Sequence, residues 1–282
     1  MEKNKKEDNK NTNYPTVLQA SGILAILLGF GILLTIIISS FIGFSPNSFN
    51  PAMTGIVNLL SFCLILFYII RKTHLPLEYF IEIRFFNIKI LMPVLFTIIG
   101  LIIIVSEIDN VTRFFIPMPD DIKALFNQLL SIEGNIIPSI IILLIVAPLT
   151  EELLFRGIIL RGFLKNYPAI KANLVQSLFF SLIHFNIWQY SSAFIVGLFL
   201  GWLYLKTGSW LICFFVHSFF NFAPLLIQLI PLNIKGFTSA IPEKIVFQPL
   251  WFNLMGFILI AAGILWLRFL FDSNEKKNRQ II

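Results

Sequence analysis

The chain has 282 residues, of which 57% are hydrophobic and 13% charged. Soluble domains run at about 45–50% apolar and about 25% charged, so a water-soluble globular fold is excluded: this much apolar surface needs lipid to face. The net charge of +6 does not describe a nucleic-acid surface, because the basic residues sit almost entirely between and beyond the apolar runs.

Taken in chain order, a polar, Lys-rich stretch, Met1–Asn13, precedes the first apolar run. That run is longer than a signal-peptide core and lacks a small-x-small cleavage site, so it reads as a first membrane-spanning helix. At roughly 20 apolar residues per span, eight spans are expected, at about 17–43, 51–70, 88–106, 136–160, 172–188, 191–205, 209–230 and 250–270. The fifth and sixth are short and nearly continuous. Leu75–Asn87 and Asp120–Ser131 mix apolar and charged residues and read as interfacial, the second as a short amphipathic helix. Cys63 and Cys213 fall within apolar runs and read as small buried hydrophobes, with no disulfide framework or cysteine-based metal site implied.

Charge placement tests the count. With the N-terminus inside and the spans alternating, 17 of the 21 basic residues fall on the inner side, Arg156 included. Arg113, Lys123, Lys235 and Lys244 fall outside. This agrees with the positive-inside rule. The fold class expected is therefore all-α: a polytopic membrane helix bundle of about eight transmembrane helices with both termini cytoplasmic. Residues 1–16 form a basic tail, 17–271 a single transmembrane domain with its functional core at about 136–230, and 272–282 a charged, disordered cytoplasmic tail.

Ionisable residues inside a span are costly and by default mark function. Among the 15 acidic residues, only Glu151 and Glu152 fall inside a span so drawn. His184 and His217 also lie in apolar segments, whereas His74 reads as a solvated loop residue. Glu151, His184 and His217 each lie near the middle of a span, within roughly 6 Å of one plane at 1.5 Å per residue. Glu152 and Arg156 are four apart and share a helix face, the spacing of an ion pair. Glu151 is thereby left for chemistry. His217 and Asn221 share a face of the seventh span, and Phe180 stands one turn from His184, where it can wall a site. A carboxylate here can act as general base on water, with an imidazole and an amide donating to an oxyanion. Alternatively, Glu151, His184 and His217 form a zinc ligand set of the catalytic type. Both routes lead to hydrolysis.

Three short motifs sharpen this reading. Thr150–Gly157 contains Glu151-Glu152 and Arg156 in an EExxxR pattern. Phe180–His184 has the pattern FxxxH, and His217–Asn221 has HxxxN. Together, in this order and on helices, they resemble the CAAX-protease and bacteriocin-processing family of intramembrane proteases, also called CPBP or Abi, over roughly residues 136–226; before about residue 130 the likeness is of hydropathy alone. The resemblance implies an eight-helix fold with a cavity open to the cytoplasmic side. It implies that Glu151 activates water aided by His184, that His217 and Asn221 stabilise the oxyanion, and that Glu152 and Arg156 hold the site together. Such proteins are often labelled metalloproteases, and a metal-free glutamate mechanism is equally compatible with these residues. The composition, rich in Ile, Asn, Lys and Phe, looks bacterial, so a prenylated CAAX substrate is not carried over. The expected partners are membrane lipid and a membrane-associated protein or peptide substrate in a bacterial cytoplasmic membrane, with no nucleic acid. Two other functions use the same residues: a non-catalytic binding or immunity protein, and a proton-coupled transporter, which the lack of an internal repeat disfavours.

Overall fold

The computed structural model describes residues 13–42, 50–130, 136–229, 233–238 and 245–279. Among these residues the chain is helical throughout, with no strand. The helices are α1 (Val17–Ile42), α2 (Pro51–Thr73), α3 (Leu77–Ile81), α4 (Leu91–Phe115), α5 (Asp120–Leu130), α6 (Ile137–Asn166), α7 (Ala169–Leu182), α8 (Ile187–Thr207), α9 (Trp210–Leu229) and α10 (Leu250–Arg279). Seven are long and apolar enough to cross a membrane: α1, α2, α4 with the short turn before it, α6, α8, α9 and α10. The expected fifth span is the shorter helix α7. Lys3, Lys5, Lys6, Lys10 and Lys244, used in the charge count, lie outside the described residues.

Local chemistry explains where the helices start and stop. Asn50 caps α2 by accepting from the Met53 N–H, and Pro51 occupies the first turn, where its missing N–H costs nothing. Asn186 caps α8 through Trp188 N. Gly208 ends α8 at φ +66°, a left-handed conformation that glycine adopts without strain. α6 is continuous but not regular: residues 142–146 and 153–160 are π-wound. Such windings are rare and concentrate at functional sites.

Consecutive long helices run antiparallel, which gives the bundle two distinct ends. One gathers the starts of α1, α4, α7 and α9 with the ends of α2, α6, α8 and α10, and is called here the near end. There Arg161 donates to the Tyr79 carbonyl and reaches Glu82 at 3.4 Å. Trp210 Nε1 donates to the Glu82 carbonyl at 3.1 Å, and Ser209 to that of Arg84. These bonds clamp the 77–90 segment over the mouth of the bundle. At the far end Asn110 donates to the Gly236 carbonyl at 2.7 Å, and Trp188 Nε1 to that of Ile116 at 2.7 Å.

Several expectations change. α4 runs to Phe115 instead of ending near 106, so Glu107 and Asp109 lie in a spanning helix. They are tolerated because each is partnered: Asp109 with Arg113 at 2.7 Å, and Glu107 with Asn110 and the Gln248 N–H, each at 3.0 Å. α10 continues to Arg279 through the stretch expected as a disordered tail. Cys213 is buried as expected, whereas Cys63 is exposed on the bundle's outer surface. Arg156 is fully buried and ion-paired, so it is no topology signal; of the other fifteen described basic residues, twelve fall on the near side.

Candidate active site

The carboxylates come from the middle of α6, just before its second π-wound segment. Glu152 is completely buried, and its Oε1 accepts from Arg156 Nη1 at 2.8 Å and pairs with His217 Nδ1 at 2.8 Å. Arg156, also at zero exposure, donates through Nη2 to the Gly197 carbonyl at 3.1 Å and lies 4.9 Å from the Phe180 ring centroid. A buried guanidinium is tolerable only with such partners, since an uncompensated charge here would cost several kcal/mol, roughly 3–5. The ion pair expected from the four-residue spacing is present, and Glu152 also orients His217, a link that spacing along one helix cannot reveal.

His217 stands between the two carboxylates. Nδ1 is held by Glu152, and Nε2 lies 3.8 Å from Glu151 Oε2. That oxygen is buried and has no hydrogen-bond partner. Because both ring nitrogens face carboxylates, the imidazolium form can donate in both directions.

His184 does not sit in the middle of a span. α7 ends at Leu182, and His184 lies in the tight turn that follows, where Phe185 takes φ +47°. A left-handed conformation at a bulky residue is uncommon and stores strain. The turn is fixed by Phe185 N donating to the Leu182 carbonyl at 3.1 Å. His184 Nδ1 donates to the Phe180 carbonyl at 2.8 Å, which leaves Nε2 for chemistry. Phe180 organises the group as much as it walls it: its ring makes edge contacts with Phe155, His184 and His217 at centroid distances of 5.1, 5.3 and 5.5 Å.

Asn221 was expected to face an oxyanion. Its Nδ2 instead donates to the Leu143 carbonyl at 3.0 Å, and one turn earlier Ser218 donates to the Leu144 carbonyl at 2.7 Å. Both acceptors lie in the first π-wound segment of α6, so α9 is bonded to α6 there.

Glu151 and His184 share a cavity of about 640 Å³, bounded mainly by α1, α2 and α6. It extends from the Glu151 level toward the far end, where Leu125 of α5 borders it. This differs from the expected opening on the side of the termini: the near half is filled by a cluster that includes Ile65, Ile69, Phe80, Leu154, Ile158 and Phe163. His217 and Asn221 do not line the cavity. Composition scanning for acids and histidines also missed Asn50, Thr54, Asn58 and Ser61, which do line it. Their spacing of four, four and three along an apolar span was the available signal. A smaller cavity of about 240 Å³, beside Asp109 and Arg113, contains none of the expected site residues.

Among the described residues, no group of three His, Cys, Asp or Glu side chains is gathered as a metal site requires. Glu151, His184 and His217 as placed are not a three-donor set. Compared with known proteins, residues 133–223 match the family model described as Rce1-like, type II CAAX prenyl endopeptidase. No curated protein and no solved structure matches the chain.

Proposed function

We propose, from the match of residues 133–223 to the Rce1-like family model, that the chain is an intramembrane endopeptidase in which Glu151 activates water. The observation that carries this reading is the Glu151 carboxylate. One of its oxygens is buried without a partner, 3.8 Å from His217 Nε2, and the residue lines a cavity inside the bundle.

In this mechanism Glu151 Oε2 takes a proton from water as the oxygen attacks the scissile carbonyl carbon. Charge passes to the carbonyl oxygen, where the imidazolium of His217 donates through Nε2. The C–N bond then breaks, and the proton held by Glu151 goes to the leaving nitrogen. The products are a new carboxylate and a new amine. His184, with Nδ1 committed to Phe180, uses Nε2 to orient the water. Glu152 and Arg156 hold the His217 ring. Asn221, bonded to Leu143, sets the distance between α9 and α6 and acts as a positioning residue. No step is routed through a metal, because the donors as placed do not fit one. The substrate is a peptide segment within or against the membrane.

The test is a set of quenched apolar peptides incubated with purified full-length protein, its Glu151→Gln variant and its Glu151→Ala variant. Cleavage by the wild type, absent in both variants at unchanged melting temperature, is expected. Variants that cleave at the wild-type rate would overturn the assignment. A protein that binds such peptides equally well in all three forms and cleaves none would be a binding module.

A further inference from the structure

Gln176 stands one turn before Phe180 on α7, at the spacing of four that aligns side chains along a helix. It is fully buried and takes no part in the mechanism above. Its hydrogen bonding runs through Nε2, which reaches the Gly197 carbonyl at 3.1 Å, Asn173 Oδ1 at 2.8 Å and Ser177 Oγ at 2.7 Å. Its Oε1 has no partner, which costs free energy in a buried setting. Asn173 steadies the amide and itself donates through Nδ2 to the Leu198 carbonyl at 3.1 Å. Two glycines of α8 make room for these side chains. A Cβ at Gly201 would collide with the Asn173 and Gln176 amides, and one at Gly197 would stand 3.2 Å from Phe180 and from Ser177.

The Gly197 carbonyl also takes Arg156 Nη2, at 3.1 Å. Side chains from α6 and α7 thus converge on one acceptor of α8. A carbonyl oxygen offers two lone pairs, so the amide restricts where the guanidinium can sit. From Arg156 the contacts run on to Glu152 Oε1 at 2.8 Å, and from that oxygen to His217 Nδ1 at 2.8 Å. An interhelical hydrogen bond that only joined α7 to α8 would contribute roughly 0.6–2 kcal/mol, and any α8 carbonyl would serve. This one falls on the carbonyl against which Arg156 rests.

We propose that Gln176 is a positioning residue for the hydrolytic site. Its amide fixes the seat of the Arg156 guanidinium on α8, and through Arg156 and Glu152 it sets the orientation of the His217 ring. Its catalytic consequence rests on the hydrolase reading above; its effect on the His217 ring does not.

The test uses full-length protein in detergent, with ¹³C and ¹⁵N in its three histidines, His74, His184 and His217, followed by NMR. Gln176→Met keeps the bulk and removes the donor. It is expected to displace the His217 ring signals while those of His74 and His184 stay in place. It should also lower kcat for peptide cleavage roughly 10–100-fold, with KM little changed. Asn173→Ala removes one acceptor of the amide and leaves Gln176 itself intact. It is expected to move the His217 signals in the same direction by less, and it supplies the reading should Gln176→Met fold poorly. Unchanged His217 signals and kcat, with only the melting temperature lowered, would reduce Gln176 to a support between helices and overturn the proposal. Equal displacement of His184 and His217 would also overturn it, because α7 as a whole would then have moved. Displaced His217 signals in Gln176→Met, beside wild-type protein that cleaves no peptide, would overturn the hydrolase reading and leave the positioning role standing.

Discussion

The two halves of the bundle solve opposite problems with similar material. The near half is a packed interior. Aromatic and branched side chains from α1, α2, α3 and α6 interlock, and the 77–90 segment closes the end through backbone acceptors for Arg161, Ser209 and Trp210. The far half holds a cavity with a polar wall, a carboxylate oxygen without a partner and a strained turn at Phe185. Among the described residues, Glu151 and Ser61 beside the cavity each keep a buried polar atom without a partner, as do Arg156 and Gln176 in the packed part. In a protein interior, unsatisfied polar groups cost stability, and they persist where a substrate or water completes them. The packed half holds the geometry that the other half uses.

Substitutions can break this division, in descending order of expected effect. Glu151→Gln removes the proposed general base and is expected to lower the cleavage rate by about 10²–10⁴-fold, with no loss of melting temperature, because the residue lines the cavity. Peptide cleavage beside thermal unfolding in detergent checks both parts, and a large fall in melting temperature would place Glu151 among the supports instead. Arg156→Leu has the converse signature. It leaves Glu152 as a buried charge without its main counterion and is expected to cost roughly 3–5 kcal/mol, read as a marked loss of thermal stability. Activity follows because Glu152, which holds His217 Nδ1, loses the guanidinium that fixes it. Stability equal to wild type would mean that the ion pair is not the support described.

Asn221→Ala removes one bond to a π-segment carbonyl and is expected to cost about 1 kcal/mol. It tests the positioning role through the partition between kcat and KM: a tenfold fall in kcat rescued by Asn221→Gln fits a positioning bond that a longer amide can remake. A fall of several hundredfold without rescue fits direct oxyanion contact. Glu82→Gln removes the partly exposed partner of Arg161 and is expected to change stability by about 0–1 kcal/mol. Its effect should shrink further at high salt. A larger effect would show that the near-end clamp depends on charge more than on backbone acceptors.

Much of the fold was legible because lipid imposes a coarse rule on sequence. Runs of apolar residues, broken by basic loops, marked seven long helices and one short one in order. The errors have physical reasons. α4 was cut short because a hydropathy reading stops at Glu107, and the pairing of Asp109 with Arg113 is a three-dimensional fact. α7 was drawn too long because the turn at His184 carries no Gly or Pro, and its one cap signal, Asn186, stands inside an otherwise apolar run. The candidate site was drawn from residue types at motif spacing. It was not legible as geometry, since π winding in α6 leaves no trace in hydropathy yet presents the carbonyls that take Ser218 and Asn221. The link from Glu152 to His217 joins residues 65 positions apart, and only packing brings them together. The polar residues of α2 that line the cavity could have been found, because their spacing is helical and they are out of place in a span.

The central claim is that Glu151 delivers a water molecule to a peptide carbonyl. It is tested most directly by cleavage in ¹⁸O-labelled water, with the products read by mass spectrometry. Wild-type protein should place solvent ¹⁸O in the new C-terminal carboxylate of the product, and Glu151→Gln should yield no labelled product above background. Labelled product formed by Glu151→Gln at the wild-type rate, or wild-type product free of label, would contradict the account.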